Sequence, residues 1–502
     1  MDITSTGNRK GFTIVELLVV IVVIGILAAI TIVSYTGITQ KAASATLKSD
    51  LKNASTRLSM DFVSNGAYPA TKEDANGGLG LSKSAGTTYT YIPNGSGYCL
   101  SATSATAGTS YRFDSSYGSV ELGSCIVSWT QVSSGKDFIC GVTNTAKVYC
   151  WGNNSNGQLG NNSTTSSAVP VAVDTSGVLS GKTIKFVSSG TYHACAIASD
   201  DNIYCWGANG WGQLGTGTTN GSMVPVAIDK TGVMNGKTIK MMMAGNSHSC
   251  VVASDNLPYC WGANSSGQLG DGTGVENHSP VAVTMSGVLS GKTIKYLSSA
   301  DAAHTCVIAS DDNGYCWGYN FAGQIGNGAT SAALAPAAVN TAGVLSGRTL
   351  KSITVGSFHT CAVASDNNAY CWGYNSGYGQ LGSGAGTDSS VPLAVVMNGA
   401  LNGKTVKMIS GGGYHTCAIG SDDNGYCWGS NSSGAGQLGN NSPIGTNAPV
   451  SVVMNGALNG KTLKSISLGY EFSCGLASDN ALYCWGTGYG WVPVAGQTPP
   501  QS

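Results

Sequence analysis

The chain holds 502 residues, with 24 basic and 25 acidic side chains, a formal net charge of -1, 72 Gly and 16 Cys. That balance excludes a nucleic-acid binder on overall charge. A charged fraction of 10% with so much Gly would suit a disordered chain, yet 42% of the residues are apolar and ten Trp recur at intervals, which requires a packed core. A cytosol would keep so many thiols reduced, so the cysteine count points to an oxidising, exported location.

The N-terminal segment must then account for export. Leu17 to Val33 is a run of 17 residues without a charge. Extended from Phe12 to Thr36, it approaches the roughly 20 apolar residues that span a bilayer. Arg9 and Lys10 precede it and orient the leader toward the cytoplasm. Glu16 lies inside the apolar segment, where an ionised carboxylate costs on the order of a few kcal/mol without a partner, and a plain anchor gains nothing from it. Lys-Gly-Phe-Thr-Ile-Val-Glu at 10 to 16 resembles the type IV prepilin signal. The resemblance implies cleavage after Gly11 by a prepilin peptidase and methylation of the new N-terminal amine on Phe12. It also implies that Glu16 meets the N-terminal ammonium of a neighbouring pilin subunit during filament assembly. Residues 1–11 are then the leader, and 12–62 form one helix that enters the membrane through 12–34 and ends before Asn65-Gly66. Some 50 residues at about 1.5 Å each give a rod of roughly 75 Å.

Residues 63–125 read as a small α+β head. Gly66-Ala67-Tyr68-Pro69 breaks the helix, and the stretches 89–102 and 110–125 predict two or three short strands separated by Gly and Asn turns. Cys99 and Cys125 fall here. Their placement resembles the heads of small type IV pilins and secretion pseudopilins, which implies a disulfide closing a loop of about 27 residues, a staple of roughly 3 to 4 kcal/mol.

From residue 126 to 502 one unit is used seven times. Tyr-Cys-Trp-Gly places its Cys at 150, 205, 260, 316, 371, 427 and 484, with spacings of 55 to 57 residues. Each unit predicts about four short strands with Gly turns between them, and seven such units match a mostly-β, seven-bladed β-propeller. His-Thr-Cys-Ala (359–362), Tyr-Cys-Trp-Gly (370–373) and Asn-x-x-Gly-Gln-Leu-Gly (209–215) resemble the regulator of chromosome condensation repeat, a family of seven-bladed propellers. Trp491-Val492-Pro493-Val494 repeats the Val-Pro-Val strand at the C-terminus and is expected to complete the first blade and lock the ring.

Each unit also carries Cys-x9-Cys: Cys140 and Cys150, Cys195 and Cys205, Cys250 and Cys260, Cys306 and Cys316, Cys361 and Cys371, Cys417 and Cys427, Cys474 and Cys484. With a Ser-Asp-Asp turn at 199–201, Ala198 faces Asn202 and Cys195 faces Cys205. Directly opposed antiparallel residues lie within disulfide range, predicting one bridge per blade.

Other chemistry is discounted. His193, His248, His304, His359 and His415 each precede a Cys by two, but Phe138 and Phe472 replace them in the end units, and paired cysteines leave no zinc ligands. Gly-Val-Leu-Ser-Gly-Lys-Thr at 177–183 has three residues between its glycines where a phosphate loop has four, and it recurs six times with variants such as Gly347-Arg348-Thr349, as a turn. The Ser-Asp-Asp-Asn segments sit where hairpin turns are required, which favours a turn over calcium. No catalytic constellation, cofactor site or metal site emerges. Residues 126–502 hold 15 Lys or Arg against 17 Asp or Glu, which again argues against nucleic acid.

The expectation is a membrane-anchored, then surface-displayed pilin-like protein of a prokaryote, a minor or tip subunit whose propeller binds a protein, glycan or surface. The alternative is a pseudopilin-like component of a type II secretion or DNA-uptake machine.

Overall fold

The computed structural model describes residues 14–94, 97–104, 110–115, 120–122, 128–299, 302–431 and 436–487; for 14–38 and a few strand-end residues of the head it describes the backbone path alone. The chain divides into two compact units between Ile126 and Val127.

In the first unit α1 (Ile14–Asn65) is one continuous helix. It stops where the next residue is glycine: Gly66 takes φ +73° and its N–H reaches the Phe62 carbonyl at 2.8 Å, a left-handed cap that a side chain would strain. Leu47, Leu51, Ala54 and Leu58 recur at helical spacing and bury against Tyr89, Tyr98, Leu100 and Ala102. Those partners sit on an antiparallel sheet of β1 (Thr87–Asn94), β2 (Gly97–Ser104), β3 (Ser110–Asp114) and β4 (Val120–Leu122), in that order. The head therefore has four strands where two or three were expected, because a three-residue edge strand carries no readable alternation. Asp50 ties helix to sheet, accepting hydrogen bonds from Ser84 N–H (3.0 Å), Ser84 Oγ (2.8 Å) and Thr87 Oγ1 (3.0 Å).

The second unit is built from seven antiparallel sheets among the described residues. Blade 1 is β5 (Trp129–Ser134), β6 (Phe138–Thr143), β7 (Val148–Gly152) and β8 (Ser167–Ala172). The same four-strand order repeats in blades 2 to 6 at 184–227, 239–282, 294–338, 350–394 and 406–451, and blade 7 shows three strands at 463–486. The first strand of every blade touches the first strand of the next, including blade 7 on blade 1, so these strands line a closed central channel. The second and third strands are buried almost throughout, with the Cys pair in direct register in each blade.

The expectation that the C-terminal strand completes blade 1 is corrected. Blade 1 already owns four consecutive strands, so no C-terminal strand is needed to complete it. The segment 491–494 lies outside the described residues. Among the described residues blade 7 meets blade 1 through packing and hydrogen bonds: Trp129, Ile139 and Trp151 of blade 1 share a core with Phe472, Leu476 and Leu482 of blade 7, and Ser134 N–H donates to Ser467 Oγ at 2.9 Å.

Three hydrogen-bond systems join the blades. At one end the turn between second and third strands places a non-glycine residue at positive φ: Ala146, Asp201, Asn256, Asp312, Asn367, Asp423 and Asn480, all between +57° and +63°. Each of these carbonyls accepts the first inner-strand N–H of the following blade at 2.8 to 3.3 Å, Asn480 to Trp129 closing the circle. At the other end the glutamine carbonyl of each Gly-Gln-Leu-Gly turn (or Gly-Gln-Ile-Gly in blade 4) accepts the Trp Nε1–H of the next blade, from Gln158 to Trp206 through Gln437 to Trp485, at 2.8 to 3.0 Å. From Gln213 onward the same carbonyl also accepts a hydroxyl, as Ser249 Oγ does at 2.9 Å. The glycine that follows must be bare: a Cβ at Gly215, which has φ +70°, would sit 2.7 Å from Trp261 Nε1.

The histidines form the third system. His193, His248, His304, His359 and His415 are fully buried, and each Nε2 pairs with a hydroxyl of the next blade: Ser249, Thr305, Thr360, Thr416 and Ser473, at 2.7 to 2.9 Å. The two end phenylalanines now have an explanation. Phe138 meets Ala194, and Phe472 meets Ile139, where the other blades present Ser or Thr. Ring and acceptor change together, so at this one level these two seams are apolar.

Two outcomes follow from this geometry. Asn and Asp tolerate the left-handed region better than Ala, so Ala146→Asn should stabilise the propeller by about 1 kcal/mol in chemical denaturation. Burial holds His193, His304, His359 and His415 at about 3 and His248 at about 4. The unfolded chain takes up those protons near 6.5, so stability is full above that pH and falls as pH drops toward 3, by about 1.4 kcal/mol per pH unit for each histidine. His304→Phe combined with Thr360→Ala, copying the seam between blades 1 and 2, should remove one fifth of that slope in thermal melts between pH 6 and 4.

Candidate functional site

The residues singled out by sequence separate into covalent framework and surface. Seven disulfides join the Cys-x9-Cys pairs, with Cα atoms 4.0 to 4.1 Å apart. Cys99, on β2, is disulfide-bonded, and Cys125 lies outside the described residues. Gly11 and Phe12 lie outside them too, and Glu16 is described only by its place near the start of α1. Among the residues described in full, no helix is long and apolar enough to cross a membrane; the run 17–33 precedes them.

No described group of three His, Cys, Asp or Glu side chains is placed to hold a metal. The phosphate-loop lookalike is a 3-10 turn: at Gly287–Leu289 the following Lys292 bends back to donate to the Val288 carbonyl at 2.6 Å. In the Ser-Asp-Asp-Asn turns the carboxylates are already engaged. Asp200 accepts the Tyr204 hydroxyl at 2.7 Å, and Asp201 pairs with Lys185 at 2.6 Å. Partial burial opposes ionisation of Asp200, but bonds from Tyr204 and Asn202 and the charge of Lys182 outweigh it and hold the carboxyl below its usual range.

What sequence reading missed is how charge and aromatic surface divide between the two ends of the ring. Loops joining first to second and third to fourth strands gather at one end, here the loop face. They hold a single basic residue, Lys136, against Asp137, Asp271, Glu276, Asp388 and Glu471 among the described residues. The other 14 of the propeller's 15 Lys and Arg lie at the opposite, hairpin face.

The loop face is also aromatic. Phe358 and Tyr414 stack with centroids 5.1 Å apart, Tyr378 stacks on Tyr414 at 4.5 Å, and Tyr470 meets Tyr414 edge-on at 5.5 Å. This run crosses blades 5 to 7 and reaches the channel mouth, a cavity of about 330 Å³ lined by Lys136, Tyr192, Asn246, Tyr319, Phe358 and Tyr470. The Lys136 ammonium sits 5.4 Å from the centroids of both Tyr192 and Tyr470 and donates to the Tyr192 hydroxyl at 3.1 Å. Burial, with Glu471 nearby, raises the Asp137 carboxyl above its usual range although Lys136 opposes the shift. Beside Tyr378 a second cavity of about 410 Å³ is walled by glycines, Asn431, Thr446 and Asn447. Farther out Trp211 and Phe321 stand 52% and 78% exposed on the equivalent loops of blades 2 and 4.

Aromatic planes beside amides and hydroxyls, with one cation already held, can stack on and hydrogen-bond a neutral or cationic partner. The available signal was departure from the repeat: Trp211, Phe321 and Tyr378 occupy positions where other units carry Ser, Asn, Ala or Gly.

The family described as "Regulator of chromosome condensation (RCC1) repeat" matches residues 146–197, 200–252, 257–308, 311–363 and 366–419, and its second profile matches five stretches between 129 and 489. The prokaryotic N-terminal methylation motif matches residues 6–32. Ultraviolet-B receptor UVR8 of Arabidopsis thaliana is 30% identical over 346 residues, 68% of this chain and 73% of that protein. The E3 ubiquitin-protein ligase HERC2 of Homo sapiens is 28% identical over 68% of this chain but only 7% of its own length. Among solved structures, human WBSCR16 aligns with TM-score 0.59 at 19% identity, covering 70% of this chain and 87% of that one. Prp20p of Saccharomyces cerevisiae aligns with TM-score 0.58 at 18% identity, covering 70% and 83%. The chain belongs to the regulator of chromosome condensation repeat family and joins that family's propeller to a prokaryotic N-terminal methylation motif.

Proposed function

We propose that this is a surface-displayed, pilin-like subunit: cleaved after Gly11, methylated on Phe12, held in the membrane by residues 12–34 and then taken into a filament, with the propeller as its binding head. The observation that carries this reading is the pairing of the N-methylation motif with seven disulfides in one chain. Disulfides persist in oxidising surroundings, and the motif supplies a route to them. Prepilin peptidase and other pilin subunits are the expected partners, and Glu16 is the residue that would meet a neighbour's N-terminal ammonium.

A propeller of this bulk does not fit on every subunit of a tightly packed filament, which favours a minor or tip position. Its loop face, net acidic and aromatic, suits a protein or glycan surface and disfavours nucleic acid. The light reception and ligase activity in the relatives' names belong to those proteins and are not carried over, because nothing in the loop face calls for them.

In the producing cell, the full chain should appear in the sheared filament fraction well below the major subunit. Replacing Trp211, Phe321 and Tyr378 together by Ser should leave filament number unchanged and reduce attachment to cells or glycan-coated surfaces about tenfold or more, as expected for loss of aromatic anchors. If deletion of the gene left attachment intact while abolishing secretion or DNA uptake, the pseudopilin alternative would replace this reading.

A further inference from the structure

The hairpin face carries a ring of lysines and a cavity of its own. In blades 2 to 7 the second residue of the inner strand is lysine: Lys185, Lys240, Lys295, Lys351, Lys407 and Lys464. Each reaches the positive-φ residue of its own blade's hairpin turn, and the acceptor alternates around the ring. Lys185, Lys295 and Lys407 pair with the carboxylates of Asp201, Asp312 and Asp423 at 2.6 to 2.7 Å. Lys240, Lys351 and Lys464 donate instead to the amide oxygens of Asn256, Asn367 and Asn480, at 2.5 to 2.6 Å. An amide satisfies the hydrogen bond and leaves the charge uncancelled, so every second blade presents a free ammonium charge, each with donors to spare.

At blade 3 that charge meets an apolar cavity. One residue farther along the inner strands, Phe186, Met241 and Tyr296 line up in consecutive blades. With Lys185, Asp201 and Lys240 they wall a cavity of about 340 Å³ at this end of the ring. Asp201 cancels Lys185, so the cavity carries the net single positive charge of Lys240. Aromatic rings and polarizable methionine sulfurs suit a flat apolar body. At the other channel positions of the same level stand Gln131, Ser352, Met408 and Ser465, so three apolar side chains in consecutive blades occur only in this arc.

We propose that this cavity binds a small monoanion with a flat apolar body, an aromatic monocarboxylate, whose carboxylate takes the free donors of Lys240 while its ring lies against Phe186, Met241 and Tyr296. Charge and apolar surface occur together here as such a ligand needs, and a dianion or a cation would leave a charge unpaired in a partly apolar site.

The test uses the full chain in an uncharged maltoside detergent, titrated with 2-naphthoate and followed by calorimetry and ligand-observed NMR. Naphthoate should bind at least tenfold more tightly than its neutral analogue 2-naphthalenemethanol, and 2-naphthylmethylammonium should not bind. Asn256→Asp keeps the turn conformation, which Asp adopts in the neighbouring blades, but cancels Lys240; it should weaken naphthoate about tenfold, the size expected for one charge-assisted contact. Asn367→Asp makes the same change away from the apolar wall and should have no effect. Naphthoate affinity that is unchanged in Asn256→Asp, lowered equally by Asn367→Asp, or no better than that of the alcohol would overturn the proposal.

Discussion

Six of the propeller's seven seams depend on one carbonyl each. In each Gly-Gln-Leu-Gly turn the glutamine oxygen takes the indole N–H of the next blade's tryptophan, and in most seams a hydroxyl as well. A buried Trp must place its N–H somewhere. By placing it on the neighbouring blade, the sequence converts seven separate sheets into a ring whose members hold one another in register. The tryptophan, the bare glycine beside it and the histidine–hydroxyl belt are all consequences of that contact. At the seam of blade 7 on blade 1 the residues after 487 lie outside the described ones, and the described contacts there include apolar packing, with Phe472 in one core with Ile139 and Trp129 beside Trp151.

The same dependence explains which parts of the fold were legible in the sequence. Strand number, blade number and cysteine register follow from local spacing, because a hairpin of fixed loop length determines which residues face each other. The make-up of blade 1 was misread because Val-Pro-Val at the C-terminus looks like a displaced strand, whereas blade 1 holds its own four in order. The meaning of Phe138 and Phe472 was hidden for a related reason. Each makes sense only beside a residue some 56 or 333 positions away, Ala194 or Ile139, and no periodicity connects them.

The candidate sites were less legible than the fold. Net charge over the propeller is nearly zero, and that sum conceals a loop face with one lysine and a hairpin face with all the others. Deciding which end a residue occupies requires the strand order as well as the spacing. The alternation of Asp and Asn at the positive-φ turns was visible in the repeats. It gained chemical meaning only once Lys240 and its apolar neighbours were placed around one cavity.

The most direct test of the account is intact-mass and N-terminal analysis of the full protein taken from membranes or sheared filaments, with and without reductant. A chain that starts at methylated Phe12 and weighs 16 hydrogens less than its fully reduced form, one for each cysteine, is the predicted result. An uncleaved Met1 together with free thiols would contradict it, leaving a propeller with neither the processing nor the oxidising surroundings on which the filament reading rests.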